Sequence, residues 1–252
     1  MALQLYAIVR REHPVPPPST PGMALPPLRA VEWDKVAAVV RDVDDGQQLT
    51  DEDAVGHLTV LNQLVMSGPV LPLRFGMAAP NDDSVREEVL RSAEPELLRR
   101  LDEFDGFVEV RLDLRFDEDA AVREVVAANP ELRALATRAR EPGAEMDERI
   151  RLGELVTEHV GQWRQARADA LLPGPTELAE RSTPLKPPEP RVERRAFLVA
   201  MDRLPDMDAA VQEVREAHPE VDFEYIGPLP AYSFLELTLA SAQPESESQW
   251  GW

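Results

Sequence analysis

The sequence contains no cysteine, which excludes disulfides, thiolate nucleophiles and Cys-ligated zinc. No apolar run approaches the ~18 residues that a membrane-spanning helix needs, so the chain is expected to have no membrane span. Histidine is scarce: His13, His57, His159 and His218 stand alone, with no second histidine three or four residues away, so the paired-histidine spacing of a metal site is missing. The phosphate-cradling Gly-x-Gly-x-x-Gly and Walker patterns are absent, as is the Gly-x-Ser-x-Gly elbow of hydrolases. Asp42-Val-Asp44-Asp45-Gly46 has a superficial likeness to a calcium loop. The glycine would have to stand at Gln47, and the twelfth position is Asp53 rather than glutamate, so it reads as an acidic turn. The expectation is no catalytic residue, no metal and no cofactor.

Lysine is nearly missing too. Lys35 and Lys186 are the only two, the other basic residues being arginines. Against 27 basic residues stand 47 acidic ones, for a net charge of −20. That balance argues against nucleic acid, whose phosphates need a basic face, and against an anionic membrane. It favours solubility through self-repulsion and a basic protein partner. The 252 residues, 43% of them hydrophobic, suffice for a sizeable core in one large or two small domains. The N-terminus lacks a basic leader region and reads as a first strand rather than a signal peptide, so the protein is expected to be cytoplasmic.

Residues 3–9 alternate as a strand. Seven prolines between Pro14 and Pro27 deny helix and central strand to that stretch. It reads as a surface loop, with a ligand for a polyproline-binding domain as the alternative. Residues 31–43 form one or two strands. Thr50 and Asp53 have the spacing of a capping box, and Val55, Leu58, Leu61 and Val65 continue at helical spacing to Gly68. Residues 70–75 read as a short buried strand. A helix then starts at Ser84–Glu87 and runs toward Phe104, divided by Pro95. Val108, Val110, Leu112 and Leu114 alternate with Glu109, Arg111 and Asp113, as in a strand with one wet face.

Residues 117–140 read as helix, interrupted at Asn129-Pro130, and residues 145–171 as one long helix. Gly153 and Gly161 within it suggest close helix packing. Residues 173–190 read as a proline-rich linker. Residues 196–201, a helix capped by Asp206, residues 221–226 and residues 232–239 make a strand, helix, strand, strand unit. Residues 241–252, with Trp250 and Trp252, are expected to be a disordered acidic tail. Strands mixed with helices in this way indicate α+β rather than one doubly wound parallel sheet.

Few residues stand out chemically. Glu109 reads as part of a solvated strand face or as a structural ion-pair partner. Arg74, in an apolar strand, is expected to form an ion pair, because an unpaired buried charge is very costly. Gly227, Pro228 and Pro230 predict a rigid extended turn. Tyr232 and Phe234 beyond it are either core or an exposed contact patch for another protein.

Four segments resemble one known family. Gly227-Pro-Leu-Pro-Ala-Tyr-Ser-Phe234 is similar to the Gly-Pro-aromatic-Pro-Pro-Tyr-Ser-Phe segment that ends the globular part of the gas vesicle protein F/L family. Leu229 and Ala231 depart from that pattern. Val70-Leu-Pro-Leu-Arg-Phe-Gly76, following a helix that carries His57, resembles a second family segment. Gly106-Phe-Val-Glu-Val-Arg111 and Arg195-Ala-Phe-Leu-Val199 resemble two more, and all four fall in order over residues 57–234. The resemblance implies two α+β domains with helices bridging them, the second ferredoxin-like: 1–116, then 117–240 with a helical insertion. It also implies a gas vesicle accessory or minor shell-associated protein, not an enzyme, located at the gas vesicle. The major shell protein and other gas vesicle accessory proteins would be its partners, with Tyr232, Phe234, Pro228 and Pro230 as contact candidates. The alternative is a small-ligand-binding regulatory module, since ferredoxin-like domains host many functions.

Overall fold

The computed structural model describes residues 2–17, 19–20, 23–24, 26–44, 49–141, 145–189 and 191–235. The acidic tail and any strand beyond residue 235 lie outside these. The elements are β1 (Ala2–Arg10), β2 (Ser19–Thr20), β3 (Met23–Ala24), β4 (Arg29–Trp33), β5 (Val36–Val43), α1 (Asp51–Val65), β6 (Val70–Pro72) and β7 (Ala78–Ala79). Next come α2 (Asp82–Ser84) with a π-helical continuation (Val85–Arg91), α3 (Glu94–Glu103), β8 (Phe107–Arg115), α4 (Glu118–Ala128), α5 (Pro130–Ala139) and α6 (Met146–Leu171). The chain continues with α7 (Pro173–Leu178), β9 (Arg181–Leu185), β10 (Val192–Ala200), a 3-10 turn (Met201–Arg203), α8 (Leu204–Ala217) and β11 (Asp222–Leu229). Two compact units result. The first is Met1–Val110 with Leu198–Asp202 and Ile226–Trp252; the second is Arg111–Phe197 with Arg203–Tyr225.

In the first unit a sheet has the order β4-β5-β1-β6, with β7 also paired to β1. β1 is antiparallel to β5, β6 and β7. Every residue from Leu3 to Val9 is at most 2% exposed, so β1 is covered on both faces. The β4–β5 hairpin turns at Asp34, whose φ of 40° suits a short polar side chain able to occupy the left-handed region. Helix α1 begins with the expected capping box: Asp53 N–H donates to Thr50 Oγ1 and Thr50 N–H donates to Asp53 Oδ2. Its buried stripe is His57, Val60, Leu61, Leu64 and Val65. Val55 and Leu58, which share the helical spacing, lie off this stripe and are 65% and 51% exposed. Asn81, not Ser84, caps the next helix, and Pro95 stands at the start of α3, where proline is tolerated.

The strand read over residues 70–75 stops at Pro72. Phe75 is 40% exposed and Arg74 is exposed as well.

A second sheet has the order β11-β8-β10-β9. With helices between β8 and β9 and α8 between β10 and β11, the chain follows a β-α-β-β-α-β course, as a ferredoxin-like unit does. Its first strand, β8, precedes the domain boundary expected at residue 117. The wet face assigned to β8 is corrected: Glu109 is 0% and Asp113 4% exposed. Each is buried because it is paired, Asp113 with Arg194 through two hydrogen bonds of 2.6 and 2.5 Å. The supposed linker 173–190 holds α7 and β9. Pro173 opens a helix, and Pro184 stands on an edge strand, where a missing N–H costs no ladder bond.

In the second unit Ala121, Val125, Leu132 and Val160 form a core to which Leu155, Val156 and Trp163 add. Asn129 Oδ1 caps α5 while Asn129 Nδ2 contacts His159 Nε2 at 3.2 Å. A Cβ added at Gly153 or Gly161 would meet nothing within 4 Å, so these glycines do not mark the close helix packing expected of them.

Candidate functional site

The C-terminal segment singled out in the sequence is built differently from the expected turn and strand. β11 runs on through Gly227 and Pro228 to Leu229, which its edge position permits for proline. Residues 232–235, expected to be extended, form one helical turn. Ala231 O accepts from the N–H groups of Phe234 and Leu235 at 3.2 and 3.1 Å.

Glu109 fixes this turn. Its carboxylate accepts the Ser233 N–H at Oε2, 2.7 Å, and the Ser233 hydroxyl at Oε1, 2.8 Å. Both donors of one residue thus meet the two oxygens of one carboxyl group, and this pair is buried. Gly227 lies in a close approach: a Cβ there would stand 3.2 Å from Glu109 O and from Val110 Cγ2. Alternation alone does not place Glu109 inside the fold, since its partner is 124 positions away. The Gly-x-x-Glu likeness was the only signal that pointed to it.

A second contact uses Leu73. Its carbonyl accepts from the Tyr232 hydroxyl at 3.2 Å and lies 3.0 Å from His57 Nε2. With that acceptor, Nε2 carries the imidazole proton, and Nδ1 has no hydrogen-bond partner among the described residues. The His57 ring stacks on Tyr6 at 4.8 Å and meets Phe75 edge-on at 5.6 Å. Burial lowers the His57 pKa.

Of the contact candidates, Phe234 takes the interior place, 1% exposed. Pro230 is buried, while Pro228 and Tyr232 are half-buried. Arg74 does not have the buried position that motivated its expected ion pair. The structure thus brings Glu109 together with Ser233 and Tyr232 together with Leu73; no spacing signal links Ser233 to a partner 124 positions away.

Within the second unit a cavity of about 470 Å³ is lined by Asp169, Leu172, Thr176, Glu177, Arg195 and Phe197, among others. Arg195 is 7% exposed and pairs with Asp169 at 2.6 Å and Glu193 at 3.4 Å. Burial raises the Glu193 pKa. Among the described residues no group of three or more His, Asp and Glu side chains is placed to hold a metal ion. No helix among them is long and apolar enough to cross a membrane.

Comparison with known proteins gives a consistent result. Residues 2–236 match the family described as gas vesicle synthesis protein GvpL/GvpF. The chain is 35% identical over 242 residues to gas vesicle protein F of Streptomyces sp. (strain CB03234), covering 94% of this chain and 100% of the relative. It is 27% identical to gas vesicle protein L1 of Halobacterium salinarum, covering 86% and 83%. The crystal structure of GvpF from Microcystis aeruginosa superposes with a TM-score of 0.74 at 19% identity, covering 92% of this chain and 98% of that one. For GvpF from Anabaena sp. PCC7120 the TM-score is 0.75 at 18% identity, covering 97% and 99%; at such identity these two show a shared fold.

Proposed function

Because the chain belongs to the GvpL/GvpF family of gas vesicle synthesis proteins, we propose that its part in gas vesicle formation is to bind the major shell protein. The observation that carries this reading is the extent of the family match, which runs over residues 2–236. Physical chemistry supplies the manner. A hydrophobic shell subunit must be kept from aggregating before it is added to the shell. A partner with a net charge of −20 that also exposes apolar side chains can cover the subunit and keep the pair soluble. Binding and holding of this kind needs no catalytic group, and it would take place in the cytoplasm and at the growing vesicle. In this reading Glu109, Ser233 and Tyr232 hold the fold rather than touch the partner.

The test is dilution of denatured shell protein into buffer with and without the purified chain. The expected result is suppressed light scattering and co-elution of the two proteins. Unchanged scattering with separate elution would contradict the reading.

A second reading, a small-ligand-binding module, is favoured by the cavity of the second unit, whose volume suits a small molecule. Against it, the buried cation there, Arg195, is already engaged by Asp169 and Glu193.

A further inference from the structure

Helix α1 carries two stripes. The inner one, His57, Val60, Leu61, Leu64 and Val65, is buried in the first unit. The outer one runs Asp51, Val55, Leu58, Asn62 and Met66. These positions step by three or four residues and so lie along one line of the helix. Val55, Leu58 and Met66 are 65%, 51% and 56% exposed. From Val55 to Met66 the line is about 17 Å long at 1.5 Å per residue. Exposed single apolar residues are ordinary, whereas several in line on one element mark an interaction surface.

The charges around this stripe select its occupant. Asp51 and Glu52 at its N-terminal end are exposed and form no ion pair among the described residues. A second copy of this chain would bring another acid-ended stripe and another net charge of −20, so self-association is opposed by repulsion. An apolar segment with a basic residue at one end fits both features. Resting on the proposed function, we infer that the outer face of α1 is the surface that receives the major shell protein, through an apolar segment flanked by a basic residue that faces Asp51.

The experiment immobilises the major shell protein and measures equilibrium binding of the full chain and three variants. V55S/L58S/M66S is expected to bind at least about tenfold more weakly, as loss of central apolar contacts does, with an unchanged melting transition because these side chains are exposed. M146S/I150S, altered on the exposed part of α6, is expected to bind like the parent. D51K is expected to weaken binding several-fold at low salt and less at high salt. Parent-like binding by V55S/L58S/M66S overturns the inference while leaving the proposed function standing, and equal weakening by the α6 variant overturns it in favour of non-specific adhesion. Unchanged D51K binding overturns the basic-flanked partner. A parent that sediments as a dimer, with the α1 variant a monomer, assigns the face to a second copy instead. No binding by the parent overturns the proposed function, and this surface with it.

Discussion

Ser233 gives both its backbone N–H and its hydroxyl to the two oxygens of the Glu109 carboxylate, at 2.7 and 2.8 Å, across 124 positions of sequence. This contact ties the C-terminal turn to the start of β8. In Glu109→Ala both donors lose their acceptor inside the fold, which should cost about 3 kcal/mol or more. Glu109→Gln keeps one acceptor oxygen and should lose less. Urea midpoints of the two variants beside the parent check the ranking, and midpoints equal to the parent's would show that the carboxylate carries no stability.

Gly227 lies against the same strand. A methyl group at this position meets Glu109 O and Val110 Cα, at 3.2 and 3.3 Å, and backbone yields less readily than a side-chain end. Gly227→Ala should therefore destabilise by about 1–3 kcal/mol, read as a lower midpoint with an unchanged denaturant slope.

Phe234 and Tyr232 should separate in the same assay. Phe234 is a core side chain, 1% exposed, and Phe234→Ala should cost about 3–5 kcal/mol. Tyr232→Phe removes only the hydroxyl that donates to Leu73, at about 0.5–1.5 kcal/mol.

His57 should make stability depend on pH. Its folded pKa is lowered by burial, so the unfolded chain takes the proton more readily. Stability is then full above the unfolded value near 6.5 and falls as pH drops through it toward the folded value. His57→Phe should flatten the decline in urea midpoint between about pH 7 and pH 5. His13, also lowered by burial, supplies a remaining slope. A variant as steep as the parent would contradict this role.

Local signals were legible and distant ones were not. The capping box of Thr50 and Asp53 is complete within four residues, so spacing alone finds it. The alternation of Val108, Val110, Leu112 and Leu114 likewise gives β8. The same alternation mistakes Glu109 and Asp113 for solvated residues, because the groups that allow their burial, Ser233 and Arg194, come from far along the chain. On α1 the apolar residues occupy two stripes, and periodicity does not say which one the rest of the fold covers. Val55 and Leu58 look like core until β1 and β6 take the other side. The prolines of residues 173–190 suggest a linker, yet one opens α7 and another stands on edge strand β9. Residues 232–235 alternate like a strand, but Pro230 and the Glu109 carboxylate set a helical turn. The family resemblance supplied the functional reading and singled out Glu109, which spacing did not.

The most direct test of the central claim is equilibrium binding of the purified, full-length chain to purified major gas vesicle shell protein, followed over a concentration series. The account predicts saturable binding that persists at moderate salt, because apolar contact supplies most of the affinity. Absence of saturable binding by a chain that melts cooperatively would contradict it.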